Sequence, residues 1–215
     1  MTGAYRTQPF WRNTRIAALS SSGSTTLTPG MLNYEWDEDL NNGSRPAGLT
    51  RLSATTVNGV NKLQDNGSTY ATGNATHSLT LYRHASGALV FGAGTVQWSW
   101  GLDSNHDRGS AAADVAVRQA TVNLLADMGI QAGSLQAGLV PGTPDTTAPV
   151  STITSPAAGS TVTSGTPVTV SGTAGDTGGG SVVAVEVSTN NARRGSPQPA
   201  RRRGPTSGPP AQRVR

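Results

Sequence analysis

One run in this chain, residues 111–128, passes without a glycine or a proline, and it limits more than any other what the chain can fold into. Apolar side chains recur there at Val115, Val122, Leu125 and Met128, beside Val117 and Leu124, close to the three- and four-residue steps of an amphipathic helix. Gly129 follows where a C-cap glycine belongs. Elsewhere 27 glycines and 13 prolines divide the text into pieces of strand and turn length. The pattern predicts one convincing helix among short strands.

The best strand signals lie just before that helix. THSLTLYR, residues 76–83, alternates Leu79 and Leu81 with Ser78, Thr80 and Tyr82, and Ser86-Gly87 turns it back into Leu89, Val90 and Phe91, which predicts a hairpin over residues 76–91. Gly92 and Gly94 then allow a turn, and residues 95–100 alternate as a second half-buried strand should. Residues 49–57, LTRLSATTV, have strand-like β-branched content, Thr25 and Leu27 suggest a short strand before Pro29-Gly30, and residues 58–74 read as a polar loop. Residues 4–15 carry Tyr5, Phe10, Trp11 and three arginines, a segment whose order is expected to depend on a partner surface.

A second pattern begins after the proline- and glycine-rich linker at residues 138–149. Short β-branched runs at 150–153, 160–162, 167–173 and 181–187, with turn signals between them, predict an incomplete β-sandwich. From residue 190 onward five prolines and seven arginines replace the apolar residues, which predicts a disordered basic tail. A shift of reading frame after Thr189 is a second account of the same change. Domains are accordingly expected at 1–137, 150–189 and, as tail, 190–215.

Charge follows this division. The net of +4 belongs to the tail, because the residues before it hold nine basic against twelve acidic side chains. The basic balance is therefore no evidence that the body binds nucleic acid. With no cysteine, disulfides, thiolate metal sites and cysteine nucleophiles are excluded. No stretch approaches the roughly 18 apolar residues of a membrane span, and the first residues lack the apolar core of a secretory signal.

Two polar clusters are candidates for chemistry. LNYEWDEDL places Glu35, Asp37, Glu38 and Asp39 together, a density of carboxylates that can bind a hard cation or supply a general acid or base. Glu35, between Tyr34 and Trp36, is expected to be the most shielded of the four; the alternative is a solvated acidic turn. LDSNHDRG offers His106 with Asp103, Asp107 and Arg108, enough for a metal ligand or a histidine–carboxylate pair, against the alternative of a polar helix-entry loop. His77 and His84 are expected at the surface. GAGT at 92–95 lacks the third glycine and the helix of a dinucleotide fingerprint, and no GxSxG accompanies the histidines.

Together FWRNT, GMLNYEWDEDLNNGSRPAGL, THSLTLYR and SGALVFGAGTVQWSWGLD resemble the C-terminal domain of the N,N-dimethylformamidase beta subunit-like family, in its large secreted actinobacterial form, over residues 4–135. DTTAPVSTITSPAAGSTVTSGTPVTVSGTAGD resembles a bacterial Ig-like module. The first resemblance implies an α/β fold or a β-rich α+β one, as the closing part of a glutamine-amidotransferase-like domain. It also implies an iron held by tyrosines and a glutamate, for which Glu35 is the matching position, and hydrolysis of a small amide. Because the tyrosines of that family would lie before Met1, the chain is expected to be a fragment of an extracellular protein, inactive by itself, with the missing upstream domain as its partner. Trp36, Trp98 and Trp100, together with the appended sandwich, support an alternative of a different class, a module binding carbohydrate or a cell-surface glycan.

Overall fold

The computed structural model describes residues 1–177, 182, 185 and 187, and the backbone of 211–214. The chain divides into two compact units, Met1–Pro144 and Asp145–Arg215. Every strand pairing among the described residues is antiparallel. Among the described residues a single α-helix is placed after the last strand of the first unit, and there is no crossover of the kind parallel pairing requires. The fold is therefore the β-rich α+β alternative.

In the first unit β1 (Thr50–Arg51), β4 (Thr80–Arg83) and β5 (Leu89–Gly92) form a three-stranded sheet with β4 in the middle. The β4–β5 hairpin has the turn expected at Ser86-Gly87, where Gly87 takes φ +91° and His84 exchanges backbone hydrogen bonds with Gly87 and Ala88. THSLTLYR is not one strand, however. It is cut at Ser78-Leu79: His77 ends β3 (Thr69–His77), which pairs with β2 (Thr55–Gln64), and Thr80 begins β4 in the other sheet. Leu79 at the break is 3% exposed and donates its N–H to Ser53 Oγ at 2.8 Å, which pins the crossing between the two sheets.

The β2–β3 ribbon occupies the stretch expected to be a polar loop. Thr, Asn and Gly on both of its faces are largely exposed, so no hydrophobic alternation betrays it. Its turn is legible only in hindsight, through Asp65, Asn66 and Gly67, all with positive φ. The strand expected at 95–100 is also replaced. Thr95 makes one antiparallel bridge to Trp36, and Trp98–Gly101 then winds into a 3-10 helix. Apolar alternation is shared by a short strand and an irregular segment that buries alternate side chains, and here Trp100 and Gln97 are buried without a strand. The short strand expected near Thr25 and Leu27 is reduced to a single bridge between Thr2 and Ser24.

The helix α1 is Val115–Asp127. Asp114 caps its start by accepting from Ala116 N–H at 2.8 Å. At its end Gly129, at φ +80°, donates to Ala126 and Ile130 donates to Leu125, the paired bonds of a Schellman cap. Its buried face carries Ala116, Val117, Ala120 and Leu124, which with Phe10, Trp11, Ile16, Leu52 and Leu79 make the core.

The N-terminal aromatics thus need no partner surface to order them. Phe10 and Trp11 are 2% and 0% exposed and lie edge to face at 4.7 Å, and Phe10 stacks on Phe91 at 5.4 Å. The Trp11 indole donates to Leu52 O at 2.8 Å. Arg12 closes the same segment onto α1 through a two-pronged pair with Asp127 at 2.8 and 2.9 Å.

In the second unit β6 (Val150–Ser155) pairs with β7 (Val168–Gly175), and β7 with β8 (Ala211–Val214). The first and third of the four expected strands coincide with β6 and β7. Residues 160–162 are not a strand, and most of the run at 181–187 lies outside the described residues. The tail expected to be disordered also lies outside them, except for 211–214, which form β8.

Candidate functional site

The acidic block crosses the open end of the β2–β3 ribbon. Trp36 bridges Thr95 and Glu38 bridges His77, while Asp37 N–H donates to Gly94 O at 2.8 Å and Val96 N–H donates to Glu35 O at 3.2 Å. Gln97, 5% exposed, anchors the approach by accepting from Tyr34 N–H at 2.9 Å through Oε1. Along the block Glu35 and Asp37 are exposed, while Trp36, Glu38 and Asp39 are half-buried.

Glu35 is on the outward side. It is exposed, so the expectation that it is the most shielded of the four acids is reversed. The inward carboxylates are Glu38 and Asp39. Glu38 receives Lys62 Nζ at 2.6 Å and Thr76 N–H at 2.8 Å, and these two bonds hold its carboxyl below the ordinary value. Asp39, whose side chain is 8% exposed, accepts from Arg45 at 2.5 Å and from Arg51 at 2.6 Å. Arg51 donates again to the Asp39 carbonyl. Both inward acids are thus committed to cations supplied by neighbouring strands and loops.

His77 is not at the surface. It is 4% exposed, with Nε2 2.8 Å from Ala93 O and the Trp36 ring edge-on at 6.1 Å. Burial lowers its pKa, because an imidazolium there would lose its hydration. His84 is exposed and caps its own turn by accepting from Ser86.

The second cluster does not assemble. His106 stacks on Trp100 with ring centroids 4.2 Å apart, and its nitrogens face the carbonyls of Asp107 and Ala111. Asp103 accepts from Asn105 N–H in a local turn, and Arg108 lies over the Tyr34 ring at 5.0 Å. This is helix-entry connective structure. Among the described residues no three His, Cys, Asp or Glu side chains converge where they could hold a metal ion. An iron would need several such donors or tyrosinates around it, and Glu35, exposed and near Glu38 and Asp39 that are already paired, does not supply them alone. The residues present do not fit an iron centre by themselves.

Sequence reasoning missed the most heavily bonded carboxylate of the unit, Asp114. Arg15 grips it at 2.6 Å through each of its two terminal guanidinium nitrogens, and Thr28 N–H and Ala116 N–H add bonds of 3.0 and 2.8 Å. Burial acts to raise its carboxyl, but these donors, Arg15 first, outweigh it and leave the pKa below the ordinary value. The same pairing raises the pKa of Arg15. The signal in the sequence was only its place before Val115, where an N-cap belongs.

This arrangement of block, ribbon and hairpin coincides with a known sequence pattern, which matches residues 2–114. The chain belongs to the N,N-dimethylformamidase beta subunit-like, C-terminal family. The family's match stops at the helix cap, short of residue 135, so α1 lies beyond it although it closes the same core. A bacterial Ig domain matches residues 149–205. That match passes Thr189 and runs into the arginine-rich stretch. No curated protein and no solved structure matches the chain. No helix among the described residues is long and apolar enough to cross a membrane.

Proposed function

We propose that this chain is a scaffold: the closing part of an amidase-like, multi-domain protein of the secreted actinobacterial type, followed by an Ig-like module, and without amide hydrolysis of its own. The observation that carries the reading is how the acids are used. Glu38, Asp114 and Asp127 each meet a cation from a distant part of the chain and Asp39 meets one from the adjoining loop, so they hold loops and helix together and are not free for proton transfer. Glu35 and Asp37, both exposed, stand outside these pairs, and Glu35 holds the position that the family resemblance singles out. Its exposed carboxylate is free to face another chain segment, and we put it forward as the one metal ligand this domain offers to a site completed elsewhere, on an amidotransferase-like domain.

The tryptophans give little support to the reading as a glycan module, which is left with the Ig-like module as its motive. Trp98 is engaged by Phe10 and Phe91, Trp100 is buried under His106, and Trp36 faces His77. The test of the scaffold reading is iron content and formamide hydrolysis on the purified chain. Neither is expected above background. Metal-dependent turnover that disappears in Glu35→Ala would overturn it.

A further inference from the structure

The first unit holds a cleft of about 300 Å³ that the scaffold role does not use. Its volume stands at the lower end of the about 300–1,000 Å³ usual for small-ligand sites. Leu27, Met31, Leu32, Val57, Leu79 and Trp98 give it apolar walls. His77 enters it from the root of the β2–β3 ribbon, directly opposite Thr55 in the ladder and therefore on the same face as Val57.

His77 brings one specific group to this cleft. Its Nε2 lies 2.8 Å from Ala93 O, and a carbonyl only accepts, so Nε2 carries the proton and Nδ1 of the neutral ring holds a lone pair. Packing closes the Nε2 edge as well, since a Cβ on Gly94 would stand 3.1 Å from Nε2 and 3.3 Å from Cδ2. Burial lowers the pKa of the ring and so keeps it neutral near neutral pH. Nδ1 meets no donor among the described residues. Three side-chain atoms among those residues are sealed from solvent without a partner, Arg12 Nε, Arg45 Nε and Ser78 Oγ. Nδ1 is not one of them, so it keeps an opening, and the cleft is the space that His77 lines.

The walls select what can fill it. No Asp, Glu, Lys or Arg lines the cleft, so an ionic ligand would lose its hydration without a countercharge. Met1 lines it too, but burial lowers the pKa of its α-amine and so disfavours the charge there. A molecule with many hydroxyls would leave most of them unmet against the apolar side chains. A single O–H on an apolar body meets every condition: no charge, apolar surface for the walls, and a donor for Nδ1. We propose that this cleft binds a small neutral alcohol or phenol, its apolar body against Met31, Val57 and Trp98 and its hydroxyl donating to His77 Nδ1.

The three methionines supply an internal control, because Met1 and Met31 line the cleft whereas Met128 lies at the end of α1. The full chain, isotope-labelled at its methionine methyls, is titrated with phenol near neutral pH and followed by NMR. The Met31 methyl is expected to shift saturably below about 20 mM, weak binding of the order open to so small a ligand, while Met128 stays in place. Anisole is more apolar but has no O–H, so a cleft offering apolar contact alone would hold it the more tightly. Here it is expected to bind about fivefold more weakly than phenol, the loss of one hydrogen bond. Benzoate and glycerol are expected to leave Met31 unmoved. His77→Gln keeps a side-chain N–H for Ala93 O and removes Nδ1, so it is expected to abolish the preference for phenol over anisole. If that variant fails to fold, the comparison of phenol with anisole on the wild-type chain decides. The proposal is overturned if phenol gives no saturable shift at Met31, if Met128 moves equally, if anisole or benzoate binds as tightly as phenol, or if the folded His77→Gln chain keeps the preference.

Discussion

Replacing Asp114 by alanine removes three things at once: the cap of α1, the acceptor for Thr28 N–H, and the partner of Arg15. Loss of an N-cap costs about 1 kcal/mol. The Arg15 pair is discounted to about 1 kcal/mol or less because its guanidinium side chain is 43% exposed and screened by water. The stranded Thr28 amide adds about 1 kcal/mol, since a donor left without its acceptor loses more than a bond gains. The sum is about 2–3 kcal/mol, which at a urea slope of about 1–3 kcal/mol/M lowers the midpoint by about 1 M or more.

The assay is favourable because Trp11, Trp36, Trp98 and Trp100 all lie in the first unit, so tryptophan fluorescence in urea follows that unit alone. The pH dependence is a second reading of the same contact. Asp114 has a folded pKa below its unfolded one, so its contribution is present above about pH 4 and is lost as pH falls through the folded value. Asp114→Asn keeps an oxygen for the cap but cannot titrate. It is expected to cost about 1 kcal/mol or less at pH 7, the charge pair with Arg15 being lost, and to flatten the loss of stability below about pH 4. Equal midpoints for wild type and Asp114→Ala at pH 7, or an unchanged acid limb in Asp114→Asn, would refute the reasoning.

Two further outcomes are expected. Gly101→Ala would place a Cβ 2.7 Å from Val117 Cγ1 and 3.0 Å from Met31 Sδ, so it should destabilise the first unit by about 1–3 kcal/mol in the same urea experiment; a neutral result would mean that α1 does not press on the Trp98–Gly101 turn. His77 has a folded pKa below its unfolded value, so its burial favours folding above about pH 6.5 and this contribution is lost as pH falls from there. His77→Gln should therefore lessen the pH dependence of the urea midpoint between about pH 7 and pH 5, and an identical profile would refute a part for His77 in it.

What was legible in the sequence was local. The helix, its glycine cap and the β4–β5 hairpin declare themselves because propensity, capping chemistry and turn residues act within a few positions. The family blocks were legible for the same reason, as contiguous strings. The β2–β3 ribbon was not, because a ladder exposed on both faces is held by backbone bonds that leave no pattern in the side chains. Glu35 and His77 were misplaced in opposite directions, one exposed and one buried. A residue's shielding depends on which side of an irregular crossing segment it occupies, and a single bridge such as Glu38 to His77 sets that.

By itself, then, the sequence determined one helix, its caps, the short-strand character of the rest and the family pattern, all consequences of near-neighbour chemistry. Only the tertiary structure decided that the N-terminal aromatics are the core, that Asp114 joins Arg15 and Thr28, and that Met31, Val57, His77 and Trp98 surround one cleft. Most of those partners stand tens of residues to about a hundred residues apart. The energy of bringing them together belongs to the packed chain, where burial makes each unmet charge or donor costly, and no short stretch of sequence carries that information.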